Sequence, residues 1–66
     1  MIPKRGSKWR HKKTDHVYVV VGFCMLEATW KMAVLYTPTF ARPSDPPIAR
    51  DLEEFGDGRF VEEDDL

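Results

Sequence analysis

Cysteine is almost missing from this chain of 66 residues, where Cys24 stands alone. A lone thiol closes no intramolecular disulfide, which excludes a disulfide-stapled secreted mini-protein. Long apolar runs are missing as well. The longest, Val17 to Leu26, covers ten residues, half of the ~20 that a membrane-spanning helix needs. The basic start stays polar through Pro3-Lys4-Arg5-Gly6-Ser7-Lys8, where a signal peptide would place its apolar stretch. The expectation is a soluble, cytoplasmic protein with no membrane partner. Histidine is scarce too, and His11 and His16 beside one cysteine make no tetrahedral zinc pattern. Neither a glycine-rich phosphate loop nor a nucleophile elbow occurs. Cys24 follows Phe23 in an apolar run, the setting of a buried, inert thiol rather than one paired with a histidine. Length adds its own limit. One small domain fills residues 1–66, its core is thin, and a deep substrate cleft has no scaffold to hold it. The chain reads as a non-enzyme, with no catalytic residue, no metal site and no cofactor.

Charge, by contrast, is plentiful and sorted by position. The formal net charge is −1, yet residues 1–16 sum to +5 and residues 51–66 to −7. The basic start carries Lys4, Arg5, Lys8, Arg10, Lys12 and Lys13 against Asp15. The acidic end carries Asp51, Glu53, Glu54, Asp57, Glu62, Glu63, Asp64 and Asp65 against Arg59. Opposed ends either attract each other within one folded domain or serve separate partners. Residues 1–6 and 62–66 are expected to be loose, the latter because like charges crowd there with little apolar surface to hold them. The carboxylates lie beside a glycine-rich turn and a tail, where solvated charge is expected rather than an acid–base pair.

Strand signals dominate the middle. Residues 7–12 alternate, with Trp9 and His11 on one face and Lys8, Arg10 and Lys12 on the other. Lys13-Thr14-Asp15 has turn chemistry, because Thr and Asp side chains bond the nearby backbone. Val17 to Phe23 is rich in β-branched and aromatic residues that suit a pleated surface, and Gly22 near its end marks a bulge or bend. Residues 24–33 admit two readings. One is a short helix burying Met25, Leu26, Thr29 and Ala33; the other is a loop around Glu27-Ala28-Thr29 and then a strand from Trp30 to Thr37. The β-prone run Ala33-Val34-Leu35-Tyr36-Thr37, stopped by Pro38, favours the strand.

Thr37 to Pro47 holds four of the five prolines and reads as a loop or polyproline-like segment. A short strand at 48–50 follows, then a helical turn whose Leu52 and Phe55 face the core, a tight turn at 56–58 and a last strand at 59–62. The predicted fold is all-β: a small five-stranded SH3-like barrel with one short helical turn before the last strand. Its interior is expected to collect Trp9, Val17, Val19, Val21, Val34, Tyr36, Leu52, Phe55 and Phe60.

Several short motifs fall in order along the chain: Trp9-Arg10-His11-Lys12, Val17-Tyr18-Val19-Val20, Val34-Leu35-Tyr36, and Arg50-Asp51-Leu52-Glu53-Glu54-Phe55-Gly56-Asp57-Gly58-Arg59-Phe60. They resemble a family of small bacterial and phage domains of unknown function built as SH3-like barrels. Those domains typically read Tyr or Trp-Arg-His near the start and Trp-x-Arg-Pro-Leu-x-x-Phe near the end, and phage members often finish Asp-Gly-Arg-Phe. Ile48 stands where the family has Trp and Asp51 where it has Pro. The proline-rich loop at 38–47 has no counterpart in the pattern. The resemblance implies the fold and a phage or prophage origin, hence a bacterial host cytosol, and it implies no activity.

Three surfaces carry the functional expectations. Aromatic residues outnumber the places in so small a core, so Trp30 and Phe40 are expected at the surface as anchors for a protein partner or a weak homodimer. Arg42 stands beside a Pro-x-x-Pro spacing, Pro43-Ser44-Asp45-Pro46, of the form that aromatic grooves recognise. Lys8, Arg10, Lys12 and Lys13 form a basic row that suits a phosphate backbone and so a nucleic-acid partner. The leading expectation is a non-enzymatic protein-interaction module, a phage or prophage accessory protein acting on a host component. Nucleic-acid binding through residues 4–13 is the alternative, and imitation of nucleic acid by residues 51–65 is a weaker third.

Overall fold

A computed structural model describes residues 2–63. Five strands run through it: β1 (Lys8–His11), β2 (Val17–Met25), β3 (Met32–Pro38), β4 (Ile48–Asp51) and β5 (Phe60–Glu62). One helical turn, α1 (Leu52–Phe55), lies between β4 and β5. All neighbours are antiparallel and the sheet order is β4-β3-β2-β1-β5. A meander whose last strand returns beside the first, with a helical turn before it, is the layout of a small SH3-like barrel.

Residues 24–33 take the loop-and-strand course, not the helix. β2 runs on to Met25, and β3 begins at Met32 rather than Trp30. The two hairpins share one loop design. In the first, the His11 N–H donates to the His16 carbonyl (2.9 Å) and the Asp15 N–H to the His11 carbonyl (2.7 Å). In the second, the Leu26 N–H donates to the Lys31 carbonyl (2.9 Å) and the Trp30 N–H to the Leu26 carbonyl (2.7 Å). Each loop thus closes one helical turn and then reverses through a residue of positive φ, Asp15 at 65° and Trp30 at 54°. Aspartate tolerates that conformation; tryptophan is a genuine outlier in it.

The interior differs from expectation in β2. Val17 and Val19 are half-buried and Val21 is 41% exposed, whereas Val20 is 1% exposed and Tyr18 and Phe23 pack against the core. The cause is a bulge. Val20 pairs with Tyr36 and Gly22 with Leu35, so Val21 has no partner of its own. An extra residue shifts side-chain parity by one. Val20 therefore faces inward opposite Tyr36, and Phe23, three residues on, also faces inward opposite Val34.

The rest of the core follows the sequence. Trp9, Val34, Tyr36, Phe55 and Phe60 are buried with Val20, and Leu52 packs on them. Its centre is aromatic: Phe55 and Phe60 stack at 4.4 Å, and Trp9 meets Phe55 edge-on at 5.3 Å. Tyr36 lies 5.6 Å from Phe60 and 5.1 Å from Tyr18, again edge-on. α1 brings Phe55 there. The Asp51 carboxylate caps it by accepting the Glu53 N–H at 2.8 Å, and the Gly56 N–H closes its end on the Leu52 carbonyl at 3.0 Å. Gly58, at φ 107°, then turns the chain back so that Phe60 stacks on the ring just placed.

Both ends of the described chain bond to the sheet. Pro3 is buried, and the Gly6 N–H donates to the Val20 carbonyl at 2.7 Å. Glu62 pairs with Trp9 across the β1–β5 ladder, and Glu63 bonds Arg10. Of the stretch 62–66 expected to be loose, residues 64–66 lie outside the described residues, as does Met1.

Candidate partner-binding site

The β2–β3 hairpin projects its closing turn beyond the core. Parity places Met25 and Met32 opposite each other on the same face as Phe23 and Val34. The core stops short of that pair, which is left 51% and 41% exposed. Trp30, two residues before Met32, is 73% exposed. Three large apolar side chains therefore occupy one hairpin tip. Beside it is a hollow of about 270 Å³ lined by Lys31, Met32, Asp51, Leu52 and Glu53. Met32 and Leu52 supply its apolar wall, while Lys31 and Glu53 join across it at 3.3 Å. The tip offers a flexible thioether pair and a large flat ring, with a recess beside Met32, a surface suited to receiving apolar side chains of another molecule.

Trp30 is conspicuous for a second reason. Its backbone sits in the left-handed region, where glycine or asparagine is the economical choice. Neither packing nor backbone preference explains an exposed tryptophan there, and strain of this kind clusters at ligand clamps and switch regions.

The other two residues expected at a partner surface are placed apart from it. Phe40 is 70% exposed and meets His16 edge-on at 5.7 Å. It follows β3, whereas Trp30 precedes it, so the seven residues of β3 separate them, a span of roughly 20 Å. Arg42 is exposed but engaged within its own loop. Its N–H donates to the Asp45 carboxylate at 3.0 Å, and the Asp45 N–H donates back to the Arg42 carbonyl at 3.0 Å. Pro43 and Ser44 thus lie in a tight turn, the loop alternative of the expectation for this segment. Trp30, Phe40 and Arg42 do not form one surface.

The basic row is broken up in the same way. Arg10 donates to Glu63 and, at 3.1 Å, to Asp15. Those hydrogen bonds, Glu63 first, push the Arg10 pKa above its already high ordinary value. Lys8 is half-buried on the strand, while Lys12 and Lys13 are exposed in the β1–β2 loop. The aromatic residues that would stack nucleic-acid bases are engaged elsewhere: Trp9 is buried, with its Nε1–H donating to Ser7 Oγ at 2.8 Å, and Tyr18 packs on the core. At the acidic end Glu53 pairs with Lys31, Glu54 with Arg50, Asp57 with Arg59 and Glu63 with Arg10. Hydrogen bonds from Arg59 hold the Asp57 carboxyl below its ordinary value. Cys24 is half-buried, less enclosed than its apolar neighbours implied.

Sequence reading missed Met25 and Met32, whose exposure depends on where the hairpin outruns the core. A cross-strand methionine pair next to a tryptophan is a usable signal only once the β2–β3 register is known. No helix among the described residues is long and apolar enough to cross a membrane. The fold and this surface define a small all-β domain with an apolar hairpin tip. No protein-family model, curated protein or solved structure matches the chain.

Proposed function

We propose that the protein is a non-enzymatic protein-interaction module that docks through the β2–β3 tip, with Trp30 as its anchor. The observation that carries this reading is a tryptophan 73% exposed in a left-handed backbone conformation. Interface hot spots are enriched in tryptophan because one rigid ring covers much area at small entropic cost. Met25 and Met32 extend the contact with side chains that adapt to a partner's shape. The resemblance to small phage and bacterial barrels supplies a setting in which a host protein is the partner. The chemistry found supports the two other readings less. The basic strand has its arginine paired and its tryptophan buried, and four carboxylates of the acidic end pair with cations of the same chain.

The test is affinity capture from a nuclease-treated bacterial lysate, with the natural chain and a Trp30→Asn variant compared side by side by mass spectrometry. A stoichiometric protein retained by the natural chain and lost with Trp30→Asn supports the proposal. Equal retention by both chains, or captured material that disappears with nuclease, refutes it.

A further inference from the structure

A second hollow, of about 440 Å³, lies at the opposite end of β2 from Trp30 and is lined by His11, Lys12, Lys13 and Arg59. Every lining side chain is a nitrogen donor, cationic or potentially so. The chain brings them together from its two ends. The Lys12 N–H donates to the Arg59 carbonyl at 3.0 Å, tying the β1–β2 loop to the turn before β5, and His11 pairs with Phe60 in the sheet.

Two of the four are held in fixed orientations. The His11 ring meets Phe60 edge-on at 4.9 Å, and its Nδ1 accepts the Lys13 N–H at 3.2 Å. In the neutral ring that bond leaves the proton on Nε2, which is then a donor. Asp57 grips the Arg59 guanidinium through Nε (3.0 Å) and Nη2 (2.8 Å), leaving Nη1 unused. Asp57 cancels the arginine's charge but not its remaining donors. Lys12 and Lys13 make no ion pair among the described residues, so the hollow keeps two uncompensated positive charges.

We propose that this hollow binds a single phosphate group. A tetrahedral dianion matches two ammonium groups together with oriented imidazole and guanidinium N–H donors, and charge-assisted bonds of this type are the strong ones. A polymer is disfavoured because the cations do not continue along the strand. Arg10, next on that face, is occupied by Glu63 and Asp15, and Lys8 lies half-buried at the far end of β1. The site is independent of the Trp30 tip, and its success or failure leaves that reading untouched.

The test is an NMR titration of the isotope-labelled full chain at constant ionic strength. Four probes are used: inorganic phosphate, O-phosphoserine, chloride, and a short single-stranded oligonucleotide. Saturating shifts confined to residues 11–13 and 57–60 are expected with phosphate or with phosphoserine. Phosphate alone saturating identifies free oxyanion as the ligand; phosphoserine saturating more tightly identifies a phosphomonoester. The Lys12→Gln/Lys13→Gln variant, altered only at exposed loop positions, should keep its dispersed spectrum and bind at least about tenfold more weakly. Shifts that match those from chloride, or saturation by the oligonucleotide alone with shifts reaching Lys4 and Lys8, would overturn the proposal.

Discussion

Replacing Trp30 by asparagine relieves a strained backbone and deletes an exposed ring in one step. At φ 54° Trp30 occupies the left-handed region, which costs an ordinary L-residue about 1–2 kcal/mol and asparagine less. Against that gain stands lost burial. Trp30 is 73% exposed, so only a quarter or so of its surface is covered. Of the ~200 Å² that a fully buried tryptophan removes from water this is roughly 50 Å², equivalent to ~1.3 kcal/mol. The two effects oppose each other and nearly cancel. The net change in stability should stay within about 1 kcal/mol in either direction, a shift in melting temperature of no more than roughly 4–8 °C for a domain this small. Urea unfolding followed by circular dichroism measures it, and Trp9 remains as a fluorescent reporter of the core. A loss above ~2 kcal/mol would mean that the ring packs into the fold. Trp30 would then have a structural reason to be there, and the case for a partner would lose its main support.

The core predicts the opposite behaviour. Phe60 is buried between Phe55, Tyr18 and Tyr36, so Phe60→Ala should cost about 3–5 kcal/mol and leave the chain largely unfolded at room temperature; a cooperative transition at the natural melting temperature would refute the packing described. The bulge makes adjacent valines unequal: Val20→Ala should lose about 2 kcal/mol and Val21→Ala under ~0.5 kcal/mol by chemical denaturation, and equal losses would place the bulge elsewhere. Asp57 titrates below its ordinary value because Arg59 hydrogen-bonds its carboxylate. A carboxyl whose folded pKa is depressed contributes stability that is complete above its unfolded pKa of about 4 and is lost as the pH falls through the folded value. Stability measured from pH 5 down to 2 should therefore decline less steeply in Asp57→Asn than in the natural chain, and identical acid limbs would contradict the pairing.

Much of the architecture was legible because local chemistry and global fold agree. Pro38 ends β3, Gly22 marks the bulge, and the i, i+3 pair Leu52 and Phe55 faces inward from a turn that Asp51 caps. The parity of β2 was not legible. Val17 to Val21 is apolar throughout, so the sequence has no alternation to say which face is inside, and the bulge changes parity midway. The basic row misled for a related reason. Spacing at i, i+2 puts Lys8, Arg10 and Lys12 on one face, but it carries no information about Glu63, which removes Arg10 from that row. Nor does it reveal that Arg59 joins Lys12 and Lys13 from the far end of the chain. At Trp30 exposure was foreseeable from the excess of aromatics, whereas its left-handed backbone follows from the closing geometry of a loop that residue types alone do not specify.

The most direct test of Trp30 as a docking anchor is site-specific photo-cross-linking in a nuclease-treated lysate. A photoreactive aromatic residue is placed at position 30 and, as a control, at the exposed Thr14 in the other hairpin loop. A discrete protein adduct from position 30 that is absent from position 14 is the predicted result. No adduct at position 30, or the same adducts from both positions, would contradict the assignment of the β2–β3 tip as the binding surface.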